Sequence, residues 1–193
     1  MYDVRSPVVT QVDDGKVPAG GTGTVPTSSI SAPDAVFTML AEADLHPGQH
    51  VLEVGSGTSC NAALIEYRVG PGNVTTVEID PALAEAARTT LRAAGYGTAV
   101  ITADGEQGHP AAAPYDRLLS TASVLRVPRA WVAQTRPAGW AGDFRLRPDR
   151  HGEWFHGVAR NGEGDRTLTP RRGPRAARRG FAQAGSLRWR GDQ

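Results

Sequence analysis

The chain has a single cysteine, Cys60, among its 193 residues. That excludes an internal disulfide and a cysteine-rich metal site. Long apolar runs are also missing: no stretch approaches the roughly 20 residues that a membrane helix needs, and residues 1–23 hold no apolar signal core. A strong charge imbalance is absent too. The formal net charge is +1, so the whole-chain balance predicts neither a nucleic-acid nor an acidic-membrane partner. His46, His50, His109, His151 and His156 show no ligand spacing such as His-x-x-x-His with a nearby acid, and no metal site is expected. The expectation is a soluble, cytoplasmic protein with one domain and a real core.

The near-neutral total hides a split. Residues 1–138 carry nine Arg/Lys against fourteen Asp/Glu, a balance of −5, whereas residues 139–193 carry twelve Arg against six acids, a balance of +6. In that second stretch the Val, Ile, Leu and Met residues number four: Leu146, Val158, Leu168 and Leu187. With Phe144, Phe155 and Phe181 the core formers reach seven in 55, below the ~20% under which a charged segment tends to stay unfolded.

Three segments follow. Residues 1–29, with "PAGGTGTVPTSS", read as a loop too loose for a regular element. Residues 30–138 carry a strand–helix rhythm. Pro33 suits a first helical position, with Val36, Met39, Leu40 and Ala43 at helical spacing. His50–Val54 reads as a buried strand, residues 59–69 as a helix with Ala62, Ala63, Leu64 and Ile65 inward, and Val74–Ile79 as a second strand. Asp80 then caps a helix starting at Pro81 that turns Leu83, Ala84, Ala87 and Leu91 inward and stops at Gly95. Thr98–Thr102 and Tyr115–Ser120 read as further strands, and residues 128–134 as a short helix. This alternation implies right-handed parallel crossovers and an α/β doubly wound parallel sheet of the Rossmann-like kind. Residues 139–193 show no alternation or repeat and are expected to be poorly ordered or out of frame, leaving the sheet incomplete on its C-terminal side.

The chemistry-bearing stretch is His50–Asp80. A strand running into "EVGSGTS" aims backbone amides and a helix start at whatever lies above the sheet edge, and Gly55 and Gly57 permit a tight bend and close ligand approach. Glu78 falls at the end of the next strand, where a carboxylate can accept from both ribose hydroxyls of a nucleoside. A dinucleotide fingerprint would want a third glycine where Cys60 stands, and Glu53 puts an acid where a pyrophosphate would lie. S-adenosylmethionine, a cation without phosphate, suits those acids better, so methyl transfer is favoured over hydride transfer. No Asn/Asp-Pro-Pro-Tyr-like base-flipping motif occurs, which disfavours a nucleic-acid methyltransferase.

The segments "HVLEVGSGTSCNAALIEYRVGPGNVTTVEIDPALAEAARTTLRAAGY", "TADGEQGHPAAAPYDRLLST" and "VPRAWVAQTRP" resemble protein-L-isoaspartate O-methyltransferase. Upstream, "YDVRSPVVTQVDDG" and "TSSISAPDAVFTML" look closer to an actinobacterial branch whose enzymes accompany ATP-grasp or lanthipeptide maturation systems. The resemblance spans roughly residues 2–138. It implies a class I methyltransferase fold and S-adenosyl-L-methionine as cofactor, acting as a carboxyl O-methyltransferase on aspartyl or isoaspartyl groups of a protein or peptide. By resemblance, Glu53, Gly55, Gly57 and Ser59 line the cofactor, Glu78 binds its ribose, and Asp104 with Gly105 borders the adenine. Ser31 in "ISAP" matches the family's active-site serine, with Ser29 beside it; both would hold the substrate carboxylate in line with the methyl group. Asp116 matches the family as a structural residue.

The pattern departs from the family at three places. Ser59-Cys60 stands where the family usually has glycine and an aromatic, the longer N-terminal helical region is absent, and "AGWAGDFRLRPDRHGEW" replaces an apolar fifth strand. Two alternatives stay open: a methyltransferase tailoring a ribosomal peptide, and a truncated remnant without catalytic role.

Overall fold

The computed structural model describes residues 3–18, 20–124, 127–136, 141–146, 155–160, 169–172 and 187–188. The chain divides into two units, residues 1–37 with 174–193 and residues 38–173.

The first unit is built on strands β1 (Val8–Val12), β2 (Thr22–Gly23) and β3 (Pro26–Ile30). β1 and β3 pair antiparallel, Val8 opposite Ile30 and Val9 opposite Ser29. A loop was expected over residues 1–29, and the structure corrects that expectation. The reason is local chemistry in the connection. The Asp13 carboxylate accepts from the N–H groups of Thr24 (3.0 Å) and Val25 (2.8 Å) and from the Thr24 hydroxyl, closing a turn that the glycines alone leave open.

Helix α1 (Pro33–Ala43) starts at the expected proline and buries Met39 and Ala43. In the second unit come β4 (Val51–Val54), α2 (Cys60–Val69), β5 (Val74–Glu78), α3 (Pro81–Ala93), β6 (Ala99–Thr102), β7 (Arg117–Val124) and α4 (Arg129–Gln134). Strands β6, β5, β4 and β7 lie side by side and parallel. Every residue of β4 and β5 is buried, as expected of a parallel sheet covered on both faces. One face packs Val51, Ile65, Val69, Val74 and Leu119 together, and the other packs Leu52, Val77, Tyr115, Leu118 and Trp131.

The start of α3 follows the sequence closely: Asp80 accepts from Ala82 N–H at 2.8 Å and Leu83 N–H at 3.3 Å, with Pro81 as first helical residue. The inward face of α2 differs from the expected one. Ala62, Ile65, Glu66 and Val69 are buried, while Ala63 and Leu64 are half-buried. That i, i+3, i+4, i+7 set puts Cys60 about 200° from Ala62, on the outer side. Cys60 is accordingly exposed. Glu66 is held inside because its carboxylate accepts from Gly97 N–H at 2.8 Å and from the Thr98 hydroxyl.

Beyond Pro137, where the sequence offers no strand pattern, the sheet continues. β8 (Ala141–Leu146) pairs parallel with β7, and β9 (Phe155–Arg160) and β10 (Thr169–Arg172) follow antiparallel. β11 (Leu187–Arg188) pairs with β2 in the first unit. Ladder bonds are made by backbone groups, so an open edge accepts a strand whose side chains show no alternation. The expectation for the rest of residues 139–193 lies outside the described residues.

Candidate cofactor site at the strand tips

The carboxyl ends of β4, β5 and β6 meet at one point. After Val54 the chain bends through Gly55 (φ +97°) and Gly57 (φ +48°), conformations that side chains rarely adopt. A Cβ at Gly55 would sit 2.7 Å from Thr121 Oγ1 and 3.2 Å from the Ala122 backbone nitrogen, so the bend fits against β7 only without one. At the end of β5, Glu78 Oε2 accepts from Gly57 N–H at 2.9 Å and Oε1 from Asp80 N–H at 3.1 Å. The loop after β6 is tied in by Ala103 N–H donating to the Glu78 carbonyl at 3.0 Å. Gly105 packs so closely on β4 that a Cβ there would lie 2.5 Å from Val54 Cγ1. Asp104 accepts from Glu106 N–H at 3.0 Å, and the Gly105 carbonyl accepts from Trp131 Nε1 at 2.7 Å.

Gly55, Gly57, Glu78, Asp104 and Gly105, expected separately along the chain, are therefore neighbours. Glu53 belongs to the same cluster but lies beneath the bend, fully buried. Its Oε1 accepts from Asn61 Nδ2 at 2.7 Å and its Oε2 from Thr76 Oγ1 at 2.5 Å. Burial pushes its carboxyl up to about 7, against the Thr76 and Asn61 hydrogen bonds and with help from the nearby Glu78 charge. Ser59 is buried with φ +64°, the left-handed region, immediately before α2. Three residues that the sequence did not single out complete the surroundings. Thr76 and Ser56 are buried polar groups joined at 2.9 Å, and Ile79 beside Glu78 is 71% exposed, an apolar surface at a strand tip. No local pattern in the sequence marks them.

Asp116 is structural, as expected. It accepts from His50 N–H at 2.8 Å and pairs with Arg136. Burial raises its carboxyl, but the His50 and Arg136 interactions prevail and hold it below the usual carboxylate range. Ser29 and Ser31 lie in the first unit, Ser29 within β3 and Ser31 between β3 and α1, both half-buried. Among the described residues no group of His, Cys, Asp and Glu could hold a metal ion, and no helix is long and apolar enough to cross a membrane.

A bend with two carboxylates at its floor and rim suits a cation better than a pyrophosphate, and the glycine positions leave the backbone approachable. These residues fit S-adenosylmethionine.

Comparison with known proteins agrees with that fit. A family model described as protein-L-isoaspartate(D-aspartate) O-methyltransferase matches residues 19–141. A protein-L-isoaspartate O-methyltransferase of Ignicoccus hospitalis is 46% identical over 113 residues, covering 58% of this chain and 54% of that protein. One from Pyrococcus horikoshii is 44% identical over 124 residues, covering 64% and 53%. A solved protein-L-isoaspartate O-methyltransferase superimposes with a TM-score of 0.66 at 25% identity, covering 75% of this chain and 47% of the other. The chain spans about half the length of the curated relatives it matches. With its strand order, its glycine bend and the match across residues 19–141, the chain belongs to the protein-L-isoaspartate O-methyltransferase family.

Proposed function

We propose that the chain is a cytoplasmic carboxyl O-methyltransferase that uses S-adenosylmethionine to esterify aspartyl or isoaspartyl groups of a protein or peptide, residues 30–138 forming its cofactor-binding core. The observation that carries the reading is the Glu78 carboxylate, oriented by the Gly57 and Asp80 N–H groups at the tip of β5. The cofactor, when bound, supplies an electrophilic methyl group on a positive sulfur. Glu78 would accept from its ribose hydroxyls, Ile79 would offer apolar surface to its base, and Asp104 with Gly105 would border that base. Gly55, Gly57 and Ser59 would line the methionine end, with Glu53 below.

On the substrate side a carboxylate is already ionised near pH 7 and is a competent nucleophile, so no strong general base is required. The task left to the protein is orientation, and Ser31 with Ser29 would perform it by hydrogen bonding to the substrate carboxylate. The relatives' names support isoaspartyl residues of proteins as the acceptor.

Thermal unfolding with and without adenosylhomocysteine tests the cofactor assignment, because a ligand selective for the folded state raises its apparent stability. An upward shift is expected. No shift, together with no binding of labelled adenosylmethionine, overturns the reading. Methyl transfer to an isoaspartyl peptide, compared with its normal aspartyl counterpart and with a ribosomal precursor peptide, then identifies the acceptor.

A further inference from the structure

Four polar side chains form a continuous chain beneath the glycine bend. Ser56, in the bend itself, meets Thr76 Oγ1 at 2.9 Å; Thr76 donates to Glu53 Oε2 at 2.5 Å; Asn61, at the start of α2, donates to Glu53 Oε1 at 2.7 Å. Ser56, Thr76 and Glu53 are buried, the last two completely. Buried polar groups in the middle of a parallel sheet are costly unless they are mutually satisfied, and here one atom is not: Asn61 Oδ1 is buried without a hydrogen-bond partner.

That orphan oxygen has a use. An amide turned over by 180° presents Oδ1 to Glu53, where it can accept from the O–H of a protonated carboxyl. Asn61 thus serves the ionised acid through Nδ2 and the neutral acid through Oδ1. Thr76 works the same way. With an ionised Glu53 its hydroxyl donates to the carboxylate and accepts from Ser56; its two lone pairs and one proton allow the reverse order when the acid is neutral. Both protonation states of Glu53 can be housed without moving the backbone.

Among the described residues, few charged groups surround Glu53. Its neighbours in register are Thr76 on β5 and Leu119 on β7, and α2 contributes Asn61. Glu78 on β5 is the charged group whose field reaches it, and it opposes ionisation. A cation placed over the bend would be a new and opposite influence. We propose that Thr76 is a positioning residue that holds Glu53 under the bend and couples its proton to cofactor binding, so that the cation is bound by the ionised acid and a proton leaves to solvent. This inference rests on the proposed cofactor assignment. In the free chain Glu53 titrates near 7, which puts the coupling in the physiological range.

The test uses the full chain, its Thr76→Val, Thr76→Ser and Glu53→Gln variants, and two readouts. Infrared spectroscopy of the free proteins follows the protonated carboxyl band. A band titrating near neutrality is expected in the parent, absent in Glu53→Gln, with its midpoint about one pH unit higher in Thr76→Val and restored in Thr76→Ser. Calorimetry with adenosylmethionine in buffers of different ionisation enthalpy counts protons. Affinity is expected to fall about three- to tenfold between about pH 8 and about pH 6, with proton release that Glu53→Gln abolishes. Binding that is independent of pH and releases no proton overturns the coupling while leaving the cofactor assignment intact. No binding at any pH defeats both. A carboxyl band unmoved by Thr76→Val removes Thr76 from the role whatever the cofactor does.

Discussion

Glu78 Oε2 and the Gly57 N–H are 2.9 Å apart, so the acid at the end of β5 is hydrogen-bonded to the bend that follows β4. The contact crosses 21 residues of chain and makes the bend and the carboxylate one unit. A carboxylate has about four acceptor directions, and two are used by Gly57 and Asp80, which leaves capacity for hydroxyls of a nucleoside. Replacing Glu78 by Ala is expected to weaken cofactor binding by about 1–3 kcal/mol, roughly five- to 150-fold, with Gln intermediate. Calorimetric titration measures it. An unaltered affinity would show that the ribose is held elsewhere.

Ser59 sits at φ +64° where the family usually has glycine. The left-handed region costs an L-residue roughly 1–2 kcal/mol that glycine does not incur, partly offset by glycine's greater freedom in the unfolded chain. Ser59→Gly is therefore expected to stabilise the protein by about 0.5–1 kcal/mol, a Tm rise of about 1–4 °C for a domain of this size. Thermal or urea unfolding decides it. A loss of stability would mean that the buried serine hydroxyl, which donates to the Thr58 carbonyl, outweighs the backbone strain.

The parallel α/β sheet and the glycine bend were legible because they rest on local signals. Pro33, Asp80-Pro81 and Gly95 mark helix ends, and the segments His50–Val54 and Val74–Ile79 read as strands whose buried parts are Val51–Val54 and Val74–Glu78. The Asp13 turn was not legible, because its acceptor and its donors, Thr24 and Val25, are more than ten residues apart. Glu66 and Thr76 were hidden for a similar reason. A glutamate in a helix reads as solvated, and it is Gly97 and Thr98, arriving from beyond α3, that satisfy it inside. β8 could not be foreseen at all, since backbone pairing with β7 leaves no mark in the side-chain pattern.

Trp131 is fully buried and also donates from Nε1 to the Gly105 carbonyl at 2.7 Å. That bond fixes the turn carrying Asp104. Trp131→Phe keeps most of the apolar contact and leaves the carbonyl unpaired. It is expected to cost about 1–3 kcal/mol of stability and to weaken cofactor binding several-fold. Denaturant unfolding and ligand titration on the same preparation separate the two effects. If stability drops while affinity holds, the turn is not part of the site.

The acid–base behaviour of Glu53 has a consequence for folding that needs no ligand. In the unfolded chain its carboxyl titrates at the ordinary value near 4.5, and in the folded chain burial raises it to about 7. Between those values the native state holds the extra proton, so stability falls as pH rises through that window, by up to on the order of 3 kcal/mol. Asp116 acts in the opposite sense: its lowered carboxyl adds stability above the ordinary range and loses it as pH falls through the folded value. The ligand-free chain should thus be most stable at about pH 4, between the two ordinary carboxyl values. Urea unfolding from about pH 2 to about pH 8 is expected to show a maximum there, and Glu53→Gln should flatten its alkaline side while leaving the acid side unchanged. A parent curve still rising from pH 5 to pH 7 would mean that Glu53 is ionised in the folded protein throughout, stabilised by more than Thr76 and Asn61.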